Sequence, residues 1–191
     1  MVTLAILAGG NATRMGGRNK ALLEVDGETF IKRIYRNLSP LFDSTIIISN
    51  DQINFDLPRI PFFPDVYSNN GPLGGIHSAM VNSKSDYVFV VSCDMPLANA
   101  SIAEMVINAR AEGEYEVVVP EINGLFEPLF AIYSKGLEVR VDSIIKSPEK
   151  KSVTKLLEKS ITGYLHIEDT PEVRKCFTNI NTPDNLFNLK S

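Results

Sequence analysis

Arg14, Lys20 and Asp94 are the side chains whose type and setting could do chemistry. Arg14 and Lys20 fall in LAGGNATRMGGRNK, residues 7–20, where an apolar run ending in Leu7 and Ala8 breaks into Gly9-Gly10. Glycine has no Cβ and tolerates positive φ, so such a loop lets backbone N–H groups approach an anion closely. Two arginines and a lysine in the same stretch supply charge, which suits a nucleoside triphosphate better than a neutral ligand. The competing reading is a solvated basic patch, the commoner fate of such charges. Position directly after the first strand favours a phosphate clamp. The string matches neither the Rossmann GxGxxG nor the P-loop GxxxxGK[ST], because Ala21 follows Lys20.

Asp94 ends DYVFVVSCD, residues 86–94. A carboxylate at the end of a buried apolar strand needs a cation or hydrogen-bond donors. Beside a triphosphate loop that cation is Mg²⁺, held by one or two carboxylates plus phosphate oxygens and water. Otherwise Asp94 caps the next segment by accepting from the N–H groups of residues 95–98. Taken with the glycine loop, metal binding is the preferred reading.

A third string, NNGPLGG at residues 69–75, opens a helix. Gly71 and Gly74 let the backbone press against a base or ribose at a helix N-terminus, or they serve a tight turn and close helix–sheet packing. Asn50 and Asp65 each follow an apolar strand. They offer acceptors to the N–H donors of a guanine edge, or they are turn and cap residues. Asn181 either adds an oxygen to the metal or, as the preferred reading, caps a helix near Pro183. His77 and His166 read as surface or half-buried, and Cys93 as a buried filler without a histidine partner. Residues 149–151 read as a solvated turn.

These residues need a scaffold, and the patterning points to α/β. Strands are expected at 3–7, 44–49, 60–63, 86–92, 115–120, 129–133 and 164–167, the one at 129–133 running against the others. Helices are expected at 29–42, 74–82, 101–111, 136–145, 153–159 and 183–189, with a turn around Asn123-Gly124. STIIIS at 44–49 is β-branched and continuous, as expected for a parallel strand covered on both faces. Strands alternating with helices imply a mostly parallel sheet.

The chain has 191 residues, 44% of them hydrophobic and 22% charged, with a net charge of −4. That suits one domain spanning 1–191 and argues against a nucleic-acid partner, which would want a basic excess. No apolar stretch nears the ~18 residues of a membrane helix, and the start lacks a secretory pattern. Cys93 and Cys176 lack metal or redox spacing, so a cytoplasmic, monomeric protein is expected.

Together, LAGGNATRMGGRNK, GPLGGI, CDMP and TNINTPDNL resemble the molybdenum cofactor guanylyltransferase family, whose hallmarks are LAGGxxxRMGxxK, GPLxG, CDxP and xNxNTPxxL. The match spans nearly the whole chain and is loose between 120 and 160. The resemblance implies a Rossmann-like nucleotidyltransferase three-layer sandwich, mostly parallel with an antiparallel strand. It implies transfer of GMP from GTP to molybdenum-bearing molybdopterin, with Mg²⁺ as cofactor and pyrophosphate as co-product.

By position, Leu7, Ala8, Gly9 and Gly10 would contact the nucleotide, joined by Asn50, Asp65, Gly71 and Gly74. Arg14 and Lys20 would clamp phosphates, and Asp94 would hold the metal. Asn179 and Asn181 would face the pterin substrate or metal, and residues 127–130 carry a lesser substrate-side role. Transient contact with molybdenum-insertion proteins or acceptor molybdoenzymes is the further partner expectation. The rivals are CMP transfer to molybdopterin, nucleotidyl transfer to a sugar or polyol phosphate, and a non-catalytic nucleotide-binding module.

Overall fold

The computed structural model describes residues 1–9, 19–51, 55–57 and 59–180. In chain order the elements are β1 (Val2–Leu7), β2 (Glu24–Val25), β3 (Glu28–Thr29), α1 (Phe30–Leu38), β4 (Ser44–Ile48), β5 (Phe62–Phe63), α2 (Gly71–Asn82) and β6 (Tyr87–Ser92). There follow α3 (Ala100–Ala109), β7 (Val117–Ile122), β8 (Leu125–Phe126), β9 (Phe130–Ser134), α4 (Glu138–Lys146), α5 (Val153–Glu158), β10 (Thr162–His166) and α6 (Pro171–Cys176).

The central strands are mostly apolar because both faces of the sheet are covered. Alternate side chains divide between two cores. Leu4, Ile6, Phe89, Val91, Val118 and Ile132 face Ile31, Ile34, Ile102 and Val106 of α1 and α3. Ala5, Leu7, Val88, Val90, Val119 and Tyr133 face Ile76, Met80, Val141, Ile144 and Leu156 of α2, α4 and α5. Helices, sheet and helices make three layers.

Among the described residues the main sheet runs β10-β7-β9-β6-β1-β4-β5, with β8 paired to β7. β1 pairs in parallel with both β4 and β6, and β4–β5 and β10–β7 are also parallel. β9 runs antiparallel to both β6 and β7, as expected for residues 129–133. From β1 the chain crosses to β4 through α1 on one face. It then returns past β1 to β6 through α2 on the other face. A crevice opens where such crossovers part, at the carboxyl ends of β1, β4 and β6.

Four differences from the expected elements have local causes. Asp26 and Gly27, at φ 54° and 77°, form the tight turn of a small hairpin, β2–β3, which the patterning reading passed over because its strands are two residues long. The turn at Asn123-Gly124 has the same left-handed geometry and makes a second hairpin, β7–β8. α2 begins at Gly71, ahead of the expected start at residue 74, because Pro72 sits comfortably in a first helical turn. α6 was not expected, although Thr170 caps it through the Val173 N–H and Pro171 opens it. The helix expected at 183–189 lies outside the described residues, in which no helix is long and apolar enough to cross a membrane.

Candidate functional site

The ends of β1, β4 and β6 and the start of α2 border a cleft of about 550 Å³. Its wall includes Leu7, Gly9, Asn50, Asp65, Gly71 and Asp94. Six sequence-predicted positions, four of them from three distant strings and the others Asn50 and Asp65, thus meet in one place. Ala8 is buried beneath it, with its N–H donating to the Ile48 carbonyl at 2.8 Å. Gly74 is not part of the wall. A Cβ there would lie 3.0 Å from the Tyr67 carbonyl oxygen, so close packing accounts for that glycine. Gly75 does line the cleft, and a Cβ there would sit 3.1 Å from Leu7 Cδ1. Gly10, Arg14 and Asn181 lie outside the described residues.

Lys20 reaches Asp94, which lines the cleft, Nζ to Oδ2 at 3.4 Å, with side chains 25% and 18% exposed. The second Asp94 oxygen accepts from Ser92 Oγ at 2.6 Å. Both carboxylate oxygens are therefore engaged by side chains. Capping of the following helix falls instead to Asn99, whose Oδ1 accepts from Ser101 N at 2.8 Å and Ile102 N at 3.3 Å. Asp94 is placed by the Cys93 N–H, which continues the parallel ladder onto the Leu7 carbonyl at 3.0 Å. Cys93 itself is buried, and burial, reinforced by the Asp94 charge, pushes its thiol up to about 12. It stays a neutral filler.

Asn50 and Asp65 form a reciprocal pair: Asn50 Nδ2 donates to Asp65 Oδ2 and the Asp65 N–H donates to Asn50 Oδ1, both at 2.8 Å. This joins the end of β4 to the segment after β5 and makes one wall of polar acceptors. The tail reaches the floor from the other side, where the Ile180 N–H donates to the Asp94 carbonyl at 2.8 Å. Ile180 is anchored by Val25 and Phe30 in a small third core. Asn179 is thereby carried to the Asp94 segment. Glu127, half-buried near Asp94, has its carboxyl raised above the usual range, by burial first and by the Asp94 charge second.

Asp51, Asn69, Pro72, Ser92 and Leu129 also line the cleft; Asn69 and Pro72 belong to the NNGPLGG string and Leu129 to the 127–130 segment, whereas Ser92 and Asp51 were not named as site residues. Ser92 and Asp51 each adjoin a residue that was, Ser92 one step before Cys93-Asp94 and Asp51 directly after Asn50. That adjacency was the available signal. His77 differs from expectation: it is buried, 4% exposed, with Nδ1 unpartnered and its ring 5.1 Å from that of Tyr67. α4 packs over α2 and closes off that face. Burial lowers its pKa, with Asp142 and Glu138 acting in the opposite direction.

The residues present suit Mg²⁺. They offer a hard carboxylate oxygen at the cleft floor, oriented by a serine and a lysine, with room for phosphate oxygens and water to complete the shell. Among the described residues no group of three or more His, Cys, Asp or Glu side chains could hold a metal.

Known proteins carry the same architecture. The family model described as the MobA-like NTP transferase domain matches residues 4–162. A protein of Clostridium perfringens named "Probable molybdenum cofactor guanylyltransferase" is 36% identical over 97% of this chain and 94% of its own. The molybdenum cofactor guanylyltransferase of Vibrio campbellii is 33% identical over 95% and 91%. The crystal structure of molybdopterin-guanine dinucleotide biosynthesis protein A from Archaeoglobus fulgidus superposes with a TM-score of 0.81 at 23% identity, covering 98% of this chain and 96% of that one. Strings that meet around one cleft, and relatives alike over almost their whole length, place the chain in the molybdenum cofactor guanylyltransferase family.

Proposed function

We propose that the protein transfers GMP from GTP to the terminal phosphate of molybdenum-bearing molybdopterin, forming the guanine dinucleotide cofactor and releasing pyrophosphate. The observation that carries this reading is Asp94, which lines a cleft at the carboxyl ends of β1 and β6 and is met at 3.4 Å by Lys20.

An oxygen of the molybdopterin phosphate attacks the α-phosphorus of GTP. A P–O bond forms there as the bond to the β-phosphate bridging oxygen breaks, and pyrophosphate leaves in line. The nucleophile is already an anion at neutral pH, so no protein base or covalent intermediate is needed. Catalysis then consists of positioning two anions and neutralising charge. Asp94 would hold Mg²⁺, which supplies Lewis-acid neutralisation of phosphate oxygens when bound. Lys20 and Arg14 stabilise charge on the departing pyrophosphate. The Asn50–Asp65 wall and the opening of α2 at Gly71 take the nucleoside, and Asn179 and Asn181 face the acceptor with the 127–130 segment. Two buried free thiols, Cys93 and Cys176, suit a reducing cytoplasm.

The test is pyrophosphate release from each of GTP, CTP, ATP and UTP with molybdopterin and Mg²⁺. Turnover confined to GTP supports the reading. Turnover confined to CTP reassigns the base, and no release with any of the four overturns nucleotidyl transfer.

A further inference from the structure

We propose that Asn19 is a positioning residue of the nucleotide site, a clasp that fixes Lys20 and Asp51 relative to the end of β1. Asn19 is 8% exposed and every polar atom of its side chain is used. Its Oδ1 accepts from the Ala21 N–H at 2.9 Å, capping the short turn that carries Lys20. Its Nδ2 donates to the Ala8 carbonyl at 3.1 Å and to Asp51 Oδ2 at 2.7 Å. An amide group has two donors and two acceptor lone pairs. Here one small planar group ties together three chain segments.

Each tie reaches a part of the site. Ala8 directly follows β1, between Leu7 and Gly9 of the cleft wall. Lys20 follows Asn19 directly and reaches Asp94. Asp51 lines the cleft next to Asn50, itself paired with Asp65. Ala8, the turn that carries Lys20 and Asp51 are therefore joined through one amide, and through it the phosphate side of the cleft is linked to the nucleoside side. Buried hydrogen bonds of this kind are costly to leave half-made, since the surviving carbonyl or carboxylate keeps its desolvation penalty.

The inference rests on the nucleotidyl-transfer reading, and its test separates the two. Asn19→Asp keeps the shape and the cap but removes both donated protons, setting a carboxylate against the Ala8 carbonyl and Asp51. Asn19→Ser keeps a good cap without added charge. Binding of Mg²⁺-GTP and of Mg²⁺-CTP is measured by calorimetry for wild type and each variant, alongside thermal melting, kcat and KM. The expectation for either variant is nucleotide affinity weakened by about ten- to a hundred-fold, with KM rising by a similar factor and the melting transition still cooperative. Adding Asp51→Asn to Asn19→Asp restores a donor between the two positions. It should recover much of the lost affinity, a coupling that a double-mutant cycle reads directly.

A lower melting temperature with unchanged nucleotide affinity of the folded protein would reduce Asn19 to a structural cap and overturn the proposal, and so would the absence of any recovery in the double variant. Should Asn19→Asp fail to fold, the Asn19→Ser affinity decides alone. Wild type binding neither nucleotide would overturn the functional reading and the clasp with it. Wild type binding GTP while Asn19→Ser binds it equally would overturn the clasp only.

Discussion

Asp94→Asn should change the sign of its effect on GTP binding according to whether Mg²⁺ is present. The substitution keeps the side chain's shape and its contact with Ser92 Oγ while deleting the charge. In the structure that charge sits 3.4 Å from Lys20 Nζ. At an effective dielectric of about 20 the gross attraction is about 5 kcal/mol. Side chains still 18% and 25% exposed, screening by salt and the cost of ordering the lysine leave a net of about 1 kcal/mol. Without metal, GTP must win Lys20 away from Asp94 and bring its own negative charge up to the carboxylate. Removing Asp94 should then tighten metal-free binding about five-fold, the equivalent of that 1 kcal/mol.

With Mg²⁺ the order reverses, because the asparagine is a poor ligand for a hard dication. Affinity should then fall below wild type and turnover should be lost. Calorimetric titration of GTP into both proteins, in EDTA and in MgCl₂, reads the two signs independently of the acceptor. Weaker binding by the variant in both buffers would show Asp94 to be a hydrogen-bonding wall residue and refute the metal assignment.

Lys20→Ala should lower kcat by about a hundred-fold or more, the usual scale for one lost charge-stabilising donor, with an unaltered far-ultraviolet circular dichroism spectrum. Gly75→Ala should barely move the melting temperature, since a helix-propensity gain of about 1 kcal/mol offsets crowding of similar size. The new methyl would meet Leu7 Cδ1 at 3.1 Å, so the GTP dissociation constant should rise a few-fold as Leu7 is pushed toward the cleft. Burial lowers the pKa of His77 from its ordinary 6.5, so the unfolded chain binds more protons there than the native protein. This contribution to stability is complete above pH about 6.5 and is lost as pH falls toward the lowered value. Denaturant unfolding at pH 7.5 and 5.5 should therefore show a smaller loss for His77→Phe, which keeps a ring beside Tyr67, than for wild type.

The division between what was legible and what was not follows interaction range. Strands β1, β4 and β6 announce themselves because a strand covered on both faces is mostly apolar and rich in β-branched residues, and VTLAIL, STIII and YVFVVS show that within a few residues. Asp94 was equally visible, as a charge abruptly ending such a run. The β2–β3 hairpin was written in Asp26-Gly27, yet its two-residue strands carry too little periodicity to register. Burial of His77 was not legible, because helix spacing says which residues share a face but not that α4 will cover that face.

Local sequence decided which segments become strands, where glycines break them, that a lysine follows the first glycine break and that an aspartate stands just past a strand end. Those outcomes rest on backbone sterics and on side-chain polarity over spans of a few residues. Only the tertiary structure decided that Lys20 and Asp94, 74 positions apart, lie within reach of one another, that Asn50 pairs with Asp65, that Ile180 brings the tail to the Asp94 carbonyl, and that Asn19 stitches Ala8 to Asp51. Those contacts depend on the order and direction of strands in the sheet. That order is set by which hydrophobic faces bury together, a property of the whole chain that no single string contains.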